Sequence, residues 1–86
     1  MPTERLRATL SELHDELTAT PAVDEEARRL LQEVSSDIDR LLHANQQPPA
    51  SHVGTLTALA GRFERDHPTL ATAIRQVADA LSRVGL

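Results

Sequence analysis

Leu6, Leu10, Leu13 and Leu17 are spaced 4-3-4. On an α-helix this spacing lines up one narrow apolar stripe, as at the a and d positions of a coiled-coil seam. The pattern recurs twice. Ala27, Leu31, Val34, Ile38 and Leu41 follow it, flanked by Leu30 and Leu42, and so do Leu70, Ile74, Val77, Leu81 and Val84. A strand would alternate with period 2. Three stripes of period 3.5 therefore point to an all-α fold, a small antiparallel bundle of three to four helices.

Prolines and capping residues set the helix boundaries. Thr3 is suited to cap the first helix, about 3–19, and Glu4 favours the positive end of its dipole. Pro21 cannot continue that helix and drives Thr20 out of the α region. Asp24 reads as the next N-cap, followed by Glu25 and Glu26, and opens a second helix over about 24–43. The short connection predicts an antiparallel hairpin crossing at about 20°.

The segment "HANQQPPAS" is the one clear loop, 44–51, with Pro48 and Pro49 breaking helix. Ser51 then caps a third helix, about 52–65, whose apolar positions are Val53, Leu56, Leu59, Ala60 and Phe63. Gly54, Ala58 and Gly61 form a strip of small residues on another face. Each Gly costs a helix interior about 1 kcal/mol against Ala, so the strip implies a closely approaching neighbour or a weak helix. The fourth helix, about 68–84, starts at Pro68, and it is either separate from the third or the same helix kinked there. At its end Gly85 suits the left-handed C′ position, with Leu86 packing back on Leu81. Residues 1–86 thus make one domain.

A domain of 86 residues buries only about 60–65% of its unfolded surface and needs support from disulfides, metals, helix packing or association. There is no Cys, which removes disulfides and thiolate metal sites, and Phe63 is the only aromatic residue. Helix packing and self-association remain, so the expectation is a homodimer burying Leu and Val across a helical interface. The net charge of −4, with every basic residue an Arg, argues against nucleic acid as a partner. Residues 1–43 carry ten acids against five Arg, whereas 44–86 carry three against four. The simplest account is a solvated acidic face on the first two helices.

No apolar run approaches the roughly 20 residues of a membrane span, and the N-terminus has no signal-like apolar region. Membrane-surface helices pair basic polar faces with bulky aromatics, and the first two helices have neither property. The sequence thus predicts a cytoplasmic protein with no membrane partner, and its all-Arg basic content suggests a bacterial source.

Chemistry-bearing residues are few. Glu64 and His67 have the E-x-x-H spacing of di-iron bundles, but that chemistry needs two such motifs and further carboxylates. A dimer axis would double the set, so Glu64 and His67 are the only metal candidates. The competing interpretation is structural: Asp66 or His67 caps the fourth helix and Pro68 occupies its first turn. His14 stands beside Asp15 and Glu16, and residues adjacent in sequence point apart on a helix. His43 and Asp39 are i,i+4 partners at a helix C-terminus, which a protonated imidazole stabilises. His52 follows the loop with no acid in range along the sequence. No nucleophile motif or phosphate loop occurs. No catalytic residue and no cofactor are expected.

"LSELHDEL", "DEEARRLLQEV" and "FERDHPTLATAIRQVADALSRVGL", in that order, resemble a family of short bacterial helical proteins, domain-of-unknown-function family 4404. The resemblance spans nearly the whole chain and is most specific at Phe63, His67-Pro68-Thr69-Leu70 and "VADALSRVGL". It implies a complete small protein and carries no activity, cofactor or catalytic residue. The expected function is non-enzymatic, through self-association or contact with an as yet unidentified protein. The alternative is metal or ligand binding by Glu64 and His67 across a dimer interface.

Overall fold

The computed structural model describes residues 2–46, 49 and 51–84. Four helices follow in order: α1 (Pro2–Thr18), α2 (Glu25–His43), α3 (Ser51–Phe63) and α4 (Pro68–Val84). No strand occurs among the described residues. Helix α1 starts one residue earlier than its predicted cap, with Pro2 inside the first turn, where a missing N–H costs nothing. Asp24 caps α2 as expected, its Oδ2 accepting from the Ala27 N–H at 3.4 Å. Ser51 is the first residue of α3. The C-terminal stop signal expected at Gly85 and Leu86 lies outside the described residues.

A stop motif of that kind closes α2. Asn45 takes φ 56°, the left-handed region that Asn tolerates better than most residues. Its N–H donates to the Leu42 carbonyl at 3.2 Å, and the Gln46 N–H donates to the Leu41 carbonyl at 2.8 Å. Those two bonds make a Schellman cap, so the polar segment after His43 terminates α2 before the loop prolines act.

Helices α3 and α4 are separate, not one kinked helix. Residues 64–66 form a turn, and His67 stands in the N-cap position of α4, its carbonyl accepting from the Ala71 N–H at 3.0 Å.

The helices form a ring in which each packs on the next: α1 on α2, α2 on α3, α3 on α4 and α4 on α1, with no packing across the diagonals. This is an up-down-up-down four-helix bundle, the arrangement that short connections favour. The longest dimension is 34 Å, against about 28 Å for a 19-residue helix, so the helices run along the long axis. The radius of gyration is 11.9 Å, close to the value of about 12 Å for a compact domain of this length. A single chain is therefore already closed around its own core.

The seams are unequal. Helix α4 lies closest to its neighbours, α3 and α1, while α2 meets α1 and α3 more sparsely. Composition explains this. On α4 the seam Leu70, Ile74, Val77 and Leu81 is flanked by Ala73 and Ala80 on one side and Ala71 and Ala78 on the other, all buried. Alanine lets two backbones approach, so α4 can sit tightly between two neighbours. Helix α2 buries only one alanine, Ala27, alongside Leu31, Val34, Ile38 and Leu42, and larger side chains hold its axis further out. The hairpin predicted for α1 and α2 does form, yet the closest partner of α1 is α4, from the far end of the sequence.

The predicted core residues Leu6, Leu10, Leu13, Leu17, Leu31, Val34, Ile38, Leu56, Phe63, Leu70, Ile74, Val77 and Leu81 are all buried in this one chain. Leu41 is the exception. It is only half-buried, and Leu42 is buried in its place. A straight α-helix drifts by about 20° per heptad from a 3.5-residue repeat. Over α2 that drift carries position 41 to the flank and brings position 42 inward. Thr9 is buried as well, its hydroxyl satisfied by the Leu6 carbonyl at 2.8 Å.

Candidate functional site

Within one chain Glu64 and His67 have separate partners. Glu64 is ion-paired with Arg75 of α4 at 3.2 Å. The His67 ring lies edge-on to Phe63, with centroids 6.1 Å apart, and its backbone N–H donates to the Phe63 carbonyl at 2.7 Å. The imidazole extends the apolar end of α3 over the turn, and its backbone, not its side chain, fills the cap position. Among the described residues no group of three His, Asp or Glu side chains is placed to hold a metal ion.

The polar side chains that do converge lie elsewhere. His52 Nε2 is 2.6 Å from Asp37 Oδ2, joining the first turn of α3 to the middle of α2. Asp37 Oδ1 also accepts from Arg40 Nη2, one turn further along α2. His52 is thus not without an acid; its partner lies 15 residues back on the neighbouring helix. Both side chains are largely covered, 19% exposed for His52 and 27% for Asp37. Hydrogen bonds from His52 first, and from Arg40 second, hold the Asp37 carboxyl below its ordinary value. There is also an electrostatic reason for the position. No acid occupies the first turn of α3, so Asp37 brings negative charge beside a helix N-terminus that lacks its own.

An Asp–His pair is the orienting half of a general-base arrangement. Catalysis would need a hydroxyl or thiol on the second ring nitrogen, and among the described residues none bonds it. In this geometry the pair links two helices.

The second polar link is at the other end of α2. Arg28, half-buried, donates from Nη1 to the Leu17 carbonyl at 3.0 Å and from Nη2 to the Thr20 carbonyl at 2.7 Å. Leu17 is in the last turn of α1, where the helix leaves acceptors without intrahelical partners, and Thr20 lies just beyond it. Sequence reasoning missed Arg28, because nothing in "DEEARR" distinguishes it from a solvated charge.

The other histidines are on the surface. His43 Nδ1 is 2.9 Å from the Asp39 carbonyl and 3.7 Å from its carboxylate, the i,i+4 arrangement the spacing predicts. His14 is exposed and lines a shallow groove between α1 and α2 with Leu13, Leu17, Gln32, Ser35 and Ser36. The acids Glu12, Asp15 and Glu16 of α1 line a groove with Thr69, Thr72 and Gln76 of α4, again setting negative charge near a helix N-terminus that has no acid of its own. No helix among the described residues is long and apolar enough to cross a membrane.

The sequence pattern of a domain of unknown function, DUF4404, matches residues 6–86. The chain belongs to the DUF4404 family. No curated protein and no solved structure gives a significant match. The DUF4404 match begins at Leu6, the first buried leucine, and extends over all four apolar stripes. It therefore covers all of α2, α3 and α4 and α1 from Leu6 onward, including both links that hold α2.

Proposed function

We propose that this chain is a non-enzymatic helical protein that acts by self-association, as a homodimer, or by docking on another protein. The observation that carries this is how its side chains are used. Glu64 and His67 are committed to Arg75 and Phe63, and the Asp37–His52 pair joins two helices. These chemistry-bearing polar groups serve the fold, which leaves the outer surface as the working part.

That surface is polar. Leu30 on α2 is the one large hydrophobic residue exposed among the described residues, at 37%, and half-buried Leu41 follows it on the same flank. A partner helix laid along that flank would meet Leu30 first. The apolar stripes themselves are closed inside the bundle, so a dimer must use outer faces or exchange helices between chains. Leu13 and Leu31 are buried, so charging either would unfold the protein rather than test an interface.

The informative variant is Leu30→Asp. Sedimentation equilibrium at micromolar concentration should find wild type as a dimer and Leu30→Asp shifted toward monomer with unchanged helicity. A wild-type monomer that also retains no protein in an affinity pull-down would overturn the proposal. Metal analysis of untagged protein tests the alternative through Glu64 and His67. A stoichiometric ion lost in His67→Asn would establish it.

A further inference from the structure

Helix α2 is the element with the weakest hold on the bundle. It meets α1 and α3 sparsely and does not pack on α4. Two side-chain links tie it down. Arg28 fixes its first turn to the end of α1, and Asp37 fixes its C-terminal half to His52 of α3. The two links differ chemically. A guanidinium keeps its charge at every accessible pH, whereas histidine is the side chain that changes charge near neutrality.

We infer that the His52–Asp37 pair is a proton-operated clasp on the C-terminal half of α2, tight when the imidazole is protonated and loose when it is neutral, with the Arg28 end as the fixed point. When His52 is protonated, Nε2–H donates across the seam to a carboxylate, a bond between two charges. When it is neutral, the carboxylate keeps its charge but the bond loses the cationic partner, and with it the direct attraction between two opposite charges. Asp37 does not follow His52 in that case. Its other oxygen stays bonded to Arg40 on its own helix, so the carboxylate folds back onto α2 as the seam opens.

Arg29 and Glu33 of α2 line the same groove as Asp37 and Arg40 and are the next charges around the pair. From α2, Asp37 and Arg40 face His52, and Asp39 further along is taken by His43. Helix α3 carries no charged residue before Arg62. On α4, which packs along α3, Asp79 is bonded to Arg83 at 3.3 Å and reaches Arg5 of α1 at 4.0 Å. Helix α1 stands diagonally across the bundle from α3. A protonated imidazole across the seam from a carboxylate favours closure and a neutral one favours it less, so closure weakens as pH rises. Ile38 and Leu42, buried beneath the clasp, are the apolar side chains that opening would uncover.

Amide hydrogen exchange on the full chain between about pH 5 and pH 8 tests this, corrected for intrinsic rates. Protection of the Ile38–Leu42 amides should fall by a factor of about two to five as pH rises, while α4 stays unchanged. Its midpoint should coincide with the His52 imidazole titration followed by NMR. His52→Gln and Asp37→Asn should give low, pH-independent protection, and His43→Gln should behave as wild type. The inference fails if the wild-type midpoint departs from that of His52, if His43→Gln abolishes the pH dependence, or if all four helices lose protection together.

Discussion

Arg28 reaches back across the α1–α2 turn to Thr20, its Nη2 donating to the Thr20 carbonyl at 2.7 Å while Nη1 holds the Leu17 carbonyl. One side chain from the second helix thus closes the end of the first. A cation there also complements the negative end of the α1 dipole, and α1 has no basic residue of its own in its last turn. Arg28→Ala should cost about 1–2 kcal/mol, since bonds from charged donors sit at the upper end of the hydrogen-bond range. Arg28→Lys should recover only part of this, because an ammonium lacks the fork that spans two carbonyls. Urea denaturation of the three proteins measures both; equal stability of Arg28→Ala and wild type would show the link to be idle.

Leu41 and Leu42 should respond unequally to truncation. Leu42→Ala empties a buried site and should cost about 2–3 kcal/mol, whereas half-buried Leu41→Ala should cost about 1 kcal/mol or less. Equal losses would mean that the drift of the α2 stripe does not decide which leucine the core uses.

Gly54 and Gly61 sit inside α3 with ordinary backbone angles, and a Cβ added at either meets no atom within 4 Å. Nothing in the chain requires them to lack a side chain. Gly54→Ala and Gly61→Ala should therefore each raise stability by about 0.5–1 kcal/mol by restricting the unfolded chain. Thermal melts of the single and double variants check this. A double variant that melts higher but no longer self-associates would identify the small strip as the face where a second chain approaches.

On the acid side, Asp37 sets a limit on stability. Its folded-state value lies below the ordinary carboxylate value of 3.8, through bonds from His52 and Arg40. A carboxyl depressed by folding adds stability that is present above its unfolded value and is lost as pH falls through the folded one. Wild type should therefore lose more stability than Asp37→Asn as pH drops below about 4. Denaturant midpoints from pH 2 to pH 6 would show the two curves converging in acid. Parallel curves would mean that the pair contributes nothing to acid stability.

The sequence by itself determined the helices. Their all-α class and approximate limits follow from the 4-3 stripes, Pro21, Asp24 and Pro68, because periodicity and capping act within a few residues along the chain, whereas the separation of α3 from α4 at Pro68 needed the structure. The same local signals marked most of the buried face of each helix, and the lapse at Leu41 is local too, a slow drift that a strict heptad count ignores. Tertiary structure alone decided what those helices do to one another. Which neighbour α4 approaches, the reach of Arg28 to Leu17 and Thr20, and the meeting of His52 with Asp37 depend on the register between helices. Register is fixed by the packing of whole faces. A loop as long as the one between α2 and α3 lets Asp37 or another turn of α2 stand opposite His52, and only the filled core selects between them.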